Sequence, residues 1–205
     1  PYGIPYKTVY YAFGQSLHSY NPRNIYFQIP FKGNIPKKDS GILLYNGFNL
    51  AGIIERENLM VSNVVKCHPP GNRGSKPYEI KNCQSFLIVE LTTINPLVLV
   101  PIGKDAWNFV ITNFDFSLTE LYKNSYVQLF FSNSEKLKET KFIIKLTHPS
   151  YIQRRGNKLK DKIDFIKGLI KANEIIVKEF EKMKDKSEKF YVINIKDFKV
   201  PFYEV

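Results

Sequence analysis

The chain has 205 residues, 43% hydrophobic and 15% aromatic, enough for a sizeable core and unlike a disordered chain. Thirty basic residues against 19 acidic ones give a net charge of +11, which points to a polyanionic partner, above all nucleic acid, unless it reflects only a lysine-rich proteome. No apolar run reaches the length of a membrane span and no secretory signal pattern is present, so a soluble, intracellular protein with no membrane partner is expected.

In chain order, "NIYFQI" (24–29) reads as the first strand, being β-branched and aromatic. "GNIPKKDSG" (33–41) reads as a loop. "ILLYNGFNLAGI" (42–53) has helical apolar spacing, weakened by Gly47. "NLMVSNVVK" (58–66) is a strand that runs into the proline-rich loop "CHPPGNR". From Pro77 to Asn95 the apolar positions Ile80, Cys83, Leu87, Val89 and Leu91 suit one helix face. "PLVLVPIG" (96–103) is nearly all apolar, like a strand buried on both faces of a parallel sheet.

"KDAWNFV" opens the next helix. "SYVQLFF" and "KFIIKLT" are further strands, the second ending at "HPSY". Residues 158–183 form the clearest helix, with lysines on its solvated face. The tail "KFYVINIKDFKVPFYEV" suggests one or two strands. Alternating strands and helices predict an α/β fold: a three-layer α/β/α sandwich around a mostly parallel sheet, as a single domain over 1–205. Ligands of such folds bind beyond the carboxyl ends of the strands, where "QIPFKGN", "CHPPGNR" and "HPSYIQRR" are predicted to lie.

No phosphate-binding glycine loop and no zinc-hydrolase histidine pair is present. The histidines are His18, His68 and His148; the last sits where a buried strand opens into a Pro-Ser loop followed by two arginines. It is either a structural histidine or a hydrogen-bond partner for a ligand. Cys67 and Cys83 are too few for a secreted disulfide scaffold; two buried thiols, one disulfide or half of a metal site all remain open.

Three segments carry a resemblance. "NVVKCHPPGNR" (63–73) followed by "EIKNC" (79–83), "NPLVLVPIGKDA" (95–106) and "THPSYIQRR" (147–155) fall in the order found in the family 4 uracil-DNA glycosylases. These are iron–sulfur enzymes common in archaea and thermophilic bacteria, and the chain resembles them over roughly 60–155. The resemblance implies a DNA-repair glycosylase that flips uracil from the stack and hydrolyses its N-glycosidic bond.

By that resemblance Asn63 reads the uracil edge, since an amide offers both a donor and an acceptor. His148 donates to the uracil carbonyl as charge builds on the leaving base. Phe31, in "PFKG", stacks on the base. Gln28 stands where the family carries a water-activating acid; "QIPFKG" has no carboxylate, and Asp39 is the nearest in sequence. Lys66, Arg73, Arg154 and Arg155 bind flanking phosphates, and Tyr151 and Ile152 wedge into the gap left by the base.

Cys67 and Cys83, sixteen residues apart as in the family, would hold half of a 4Fe-4S cluster, provided two further cysteines precede residue 1. The expected partner is uracil-containing DNA in the cytoplasm or nucleoid, with room for a replication or repair protein. The degenerate acid segment leaves an alternative: a non-catalytic paralogue serving as a DNA-binding or accessory subunit.

Overall fold

A computed structural model describes residues 10–14, 40–53, 59–66, 73–156 and 158–184. In chain order the elements are β1 (Tyr10–Gly14), α1 (Ser40–Leu50), β2 (Leu59–Asn63), α2 (Pro77–Ile94), β3 (Val98–Ile102), α3 (Lys104–Asn113), β4 (Ser117–Lys123), β5 (Val127–Asn133), β6 (Phe142–Leu146), α4 (Pro149–Arg154) and α5 (Leu159–Lys184). The six strands form one sheet in the order β2-β1-β3-β6-β5-β4. The first four lie parallel, while β5 pairs antiparallel with β6, and β4 antiparallel with β5, at one edge.

Helices cover both faces. Tyr10, Ala12, Val98, Val100 and Ile144 pack with Leu44 and Phe48 of α1 and with Phe165 and Leu169 of α5. Tyr11, Phe13, Leu99 and Ile143 face the opposite way, against Cys83, Leu87 and Leu91 of α2 and Phe109 and Val110 of α3. Successive residues of a strand point to opposite faces, so a central strand covered on both sides must be apolar throughout. All five residues of β1 and all five of β3 are buried. The expected three-layer α/β sandwich is the observed fold.

The layers are also pinned by buried polar groups. Asn173 of α5 accepts from the Tyr10 phenol of β1 and donates to the Ala51 carbonyl just beyond α1, at 2.7 Å. The amide therefore ties one helix to the centre of the sheet and to its neighbouring helix.

The structure corrects several sequence expectations. The strand expected at 24–29 lies outside the described residues, as do the loop at 33–39 and the tail at 189–205. The described strand that opens the sheet is Tyr10–Gly14, between β2 and β3, and the sequence reading gave it no strand. β4 was also unforeseen: as the edge strand it is mostly exposed, so "SLTELYK" lacks the apolar signal of a buried one. Val89 is 63% exposed, because the buried stripe of α2 runs through Cys83, Leu87 and Leu91.

Candidate active site

The parallel strands end level. Gly14 is paired with Asn63 on one side and Ile102 on the other, and Ile102 with Leu146. Asn63, Gly14, Ile102 and Leu146 thus form one row across the carboxyl edge. Ile102 and Leu146 pack into the core beneath α1 and α5, and Val61 packs against the same core. Strand alternation puts Asn63 on that face with Val61. Three strand spacings separate the outer members of the row, about 14 Å between backbones. Two side chains reaching inward from such a separation can flank a planar ring.

Gly14 lies between them. A Cβ there would lie 2.8 Å from the Ile102 carbonyl oxygen, so the row has no side chain next to Asn63. The Gly14 carbonyl accepts from the Val64 N–H at 3.0 Å, which fixes the chain just past Asn63.

His148 follows β6 by two residues and caps α4, with Pro149 as the first helical residue. Proline suits that position, because its missing N–H would have no helical partner. The Ser150 N–H donates to His148 Nδ1 at 3.2 Å, and the Ser150 hydroxyl lies 2.8 Å from the same nitrogen. A backbone N–H can only donate, so Nδ1 must accept. That leaves Nε2 as the ring nitrogen placed to donate.

Behind the ring is Gly103, at φ +85, a conformation open to glycine and strained for other residues. Its N–H donates to the Leu146 carbonyl at 2.8 Å, and a Cβ on it would lie 3.2 Å from the His148 Cβ. The turn after β3 and the end of β6 therefore hold the histidine together.

The basic candidates divide. Arg154 and Arg155 are exposed at the end of α4, and the Arg155 guanidinium sits 5.7 Å from the ring centroid of Tyr151, itself 46% exposed. Lys66 is paired instead with Glu90 of α2 and lies 2.5 Å from the Ser62 hydroxyl. Arg73 makes a forked bond to Glu79, at 2.9 and 2.6 Å. Both cations are thus already engaged in fixing α2. Ile152 is fully buried against the core, so it cannot serve as the expected wedge. Only Tyr151 of that pair reaches solvent.

Gln28, Phe31 and Cys67 lie outside the described residues, as do His18, Asp39 and His68. The role given to Gln28 rested on its following the first strand. With β1 at Tyr10–Gly14, the residue after that strand is Gln15, also outside the described set. The signal that could have found this strand is the short apolar run "VYYAFG", closed by glycine.

Cys83 is buried on α2, and its Sγ accepts from the Lys66 N–H at 3.4 Å. Lys66 directly precedes Cys67 in sequence. A backbone N–H aimed at sulfur is the kind of contact that supports a metal-bound thiolate. The chain holds two cysteines where an iron–sulfur cluster takes four thiolates, so the donor set fits half of such a site. Among the described residues no group of three or more His, Cys, Asp or Glu side chains could hold a metal ion. None of the described helices is long and apolar enough to cross a membrane.

An amide and an imidazole stand at the carboxyl edge of a helix-covered parallel sheet, the edge at which α/β proteins of this class bind their ligands. The sequence model of the uracil DNA glycosylase superfamily matches residues 13–170, and the chain belongs to that family, as a type-4 member. It is 34% identical over 151 residues to the Type-4 uracil-DNA glycosylase of Thermotoga maritima, covering 73% of this chain and 70% of that protein. The Type-4 uracil-DNA glycosylase of Archaeoglobus fulgidus is 32% identical over 105 residues, 46% of this chain and 52% of its own length. The Type-5 uracil-DNA glycosylase of Pyrobaculum aerophilum shares 36% over 58 residues, 28% of this chain and 25% of its own. The family match opens at Phe13, inside β1.

Proposed function

We propose that the chain removes uracil from DNA by hydrolysing its N-glycosidic bond, as a monofunctional repair glycosylase. The observation that carries this reading is the pair at the carboxyl edge: Asn63 and His148, whose Nδ1 is engaged by the Ser150 N–H. The target nucleotide leaves the stack and enters between them. The Asn63 amide donates to uracil O4 and accepts from N3–H, a pattern that cytosine reverses. The Nε2–H of His148 donates to a uracil carbonyl oxygen as negative charge builds on the leaving base. A donor placed in advance at such a site contributes about 3–4 kcal/mol, because it strengthens as the bond breaks.

Phe31 covers the base, and Arg154 and Arg155 hold neighbouring phosphates, with Tyr151 entering the gap. The net charge of +11 supports binding to chromosomal DNA through its backbone. Cys67 and Cys83 would supply two of the four thiolates of a 4Fe-4S cluster, which when bound would cross-link the segment from β2 to α2.

The test is a uracil-containing oligonucleotide, with alkaline cleavage to reveal abasic sites. Cleavage only at the uracil position supports the reading. Tight binding with no abasic site even at high protein concentration overturns it in favour of a DNA-binding accessory subunit. Absorbance near 400 nm in the full-length protein reports the cluster separately.

A further inference from the structure

We propose that Tyr126 is a positioning residue for His148, clasping both ends of the segment from Thr147 to Asp161. The inference rests on the glycosylase reading above for its kinetic consequence and on the fold alone for its structural one. The Tyr126 carbonyl accepts from the Thr147 N–H at 2.8 Å, one residue before His148. Its phenol donates to Asp161 Oδ1 at 2.6 Å, at the start of α5. Between these two points lie His148, Tyr151, Arg154 and Arg155, every described residue to which the proposed reaction assigns a role except Asn63.

Tyr126 is itself held. Asn124 Oδ1 accepts from the N–H groups of Tyr126 and Val127, at 2.8 and 2.7 Å. Its Nδ2 donates to the Asp164 carbonyl of α5 at 3.0 Å. The β4–β5 turn is therefore docked on both the end of β6 and α5. On the far side of His148 the Gly103 turn holds Leu146. The catalytic segment is clamped by the β3–α3 turn at one side and by the β4–β5 turn at the other. The phenol–carboxylate bond is charge-assisted, and the Tyr126 ring that carries the hydroxyl is packed into the core. The carboxylate pushes the ionisation of the phenol up, so the donor stays protonated.

Tyr126→Phe keeps the ring and the main-chain carbonyl and removes only the O–H. Its kcat for uracil release should fall about tenfold with KM within about twofold, because a displaced donor matters when charge develops rather than on binding. Asp161→Ala should lose as much, the double variant should lose no more, and Asp161→Asn, which keeps an acceptor oxygen, should recover the wild-type kcat. Wild-type kcat in Tyr126→Phe, or losses that multiply in the double variant, would overturn the proposal. Hydrogen exchange at amides 148–156, measured without DNA, should be faster in Tyr126→Phe and Asp161→Ala than in wild type and Asp161→Asn. Equal exchange in all four also overturns it. If the wild-type protein releases no uracil while these amides still respond, the clasp stands and the glycosylase reading alone fails.

Discussion

At the scale of single residues, local chemistry and tertiary contact contribute unequally. His148 takes its tautomer from its own neighbourhood: a proline starts the helix and the next N–H turns back to Nδ1. That arrangement is written in "HPS", which is why the residue was legible in sequence. His148→Ala should lower kcat for uracil excision by about 10²–10³, the usual loss of one such donor, with KM little changed in steady-state kinetics. Ser150→Ala keeps the backbone donor to Nδ1 and should cost far less in the same assay. Lys66, Arg73 and Ile152 are the opposite case, because residues elsewhere in the chain set their surroundings. Nothing within "VVKC" or "YIQR" tells that Glu90 takes up the lysine or that Ile152 faces the core. Arg73 is a closer case, since its partner Glu79 is six residues away, but only the turn at Lys76 brings them together.

At the scale of elements, the start of α2 shows how a helix is fixed. Pro77 opens it, and Glu79 accepts from the Lys76 N–H at 2.7 Å while gripping Arg73. The forked bond to Arg73, then the Lys76 N–H, hold the Glu79 carboxyl down to about 2. A carboxyl depressed in the folded state stabilises above its unfolded value, about 4.3, and that stabilisation disappears as pH falls toward about 2. Glu79→Gln should therefore flatten the acid limb of stability between those values, read as the pH dependence of the urea midpoint, and leave it unchanged near neutrality in slope. The link between α5, β1 and α1 is a stronger element contact. Asn173→Leu leaves the Tyr10 phenol and the Ala51 carbonyl buried without their partner. Two such groups at roughly 1–3 kcal/mol each should destabilise the fold by about 2–6 kcal/mol in urea unfolding.

At the scale of the whole molecule, the positive charge and the carboxyl edge of the sheet act together. Arg154 and Arg155 are exposed beside that edge, unlike the engaged Lys66 and Arg73. Replacing either by alanine should weaken DNA binding similarly for any sequence and reduce the slope of log K against log salt by about 1. Lys66→Ala should change that slope much less, as fluorescence anisotropy at several salt concentrations would show. The sequence by itself determined the layer architecture, because strands buried on both faces and a helix with one apolar stripe leave a periodic trace. It also determined the family, through three short segments whose chemistry is local. Which strand opens the described sheet, which cations are already paired, and what clamps His148 were decided only by the tertiary structure. These depend on residues far apart in the chain, such as Tyr126 and Thr147 or Asn173 and Tyr10, and no periodicity records a contact between them.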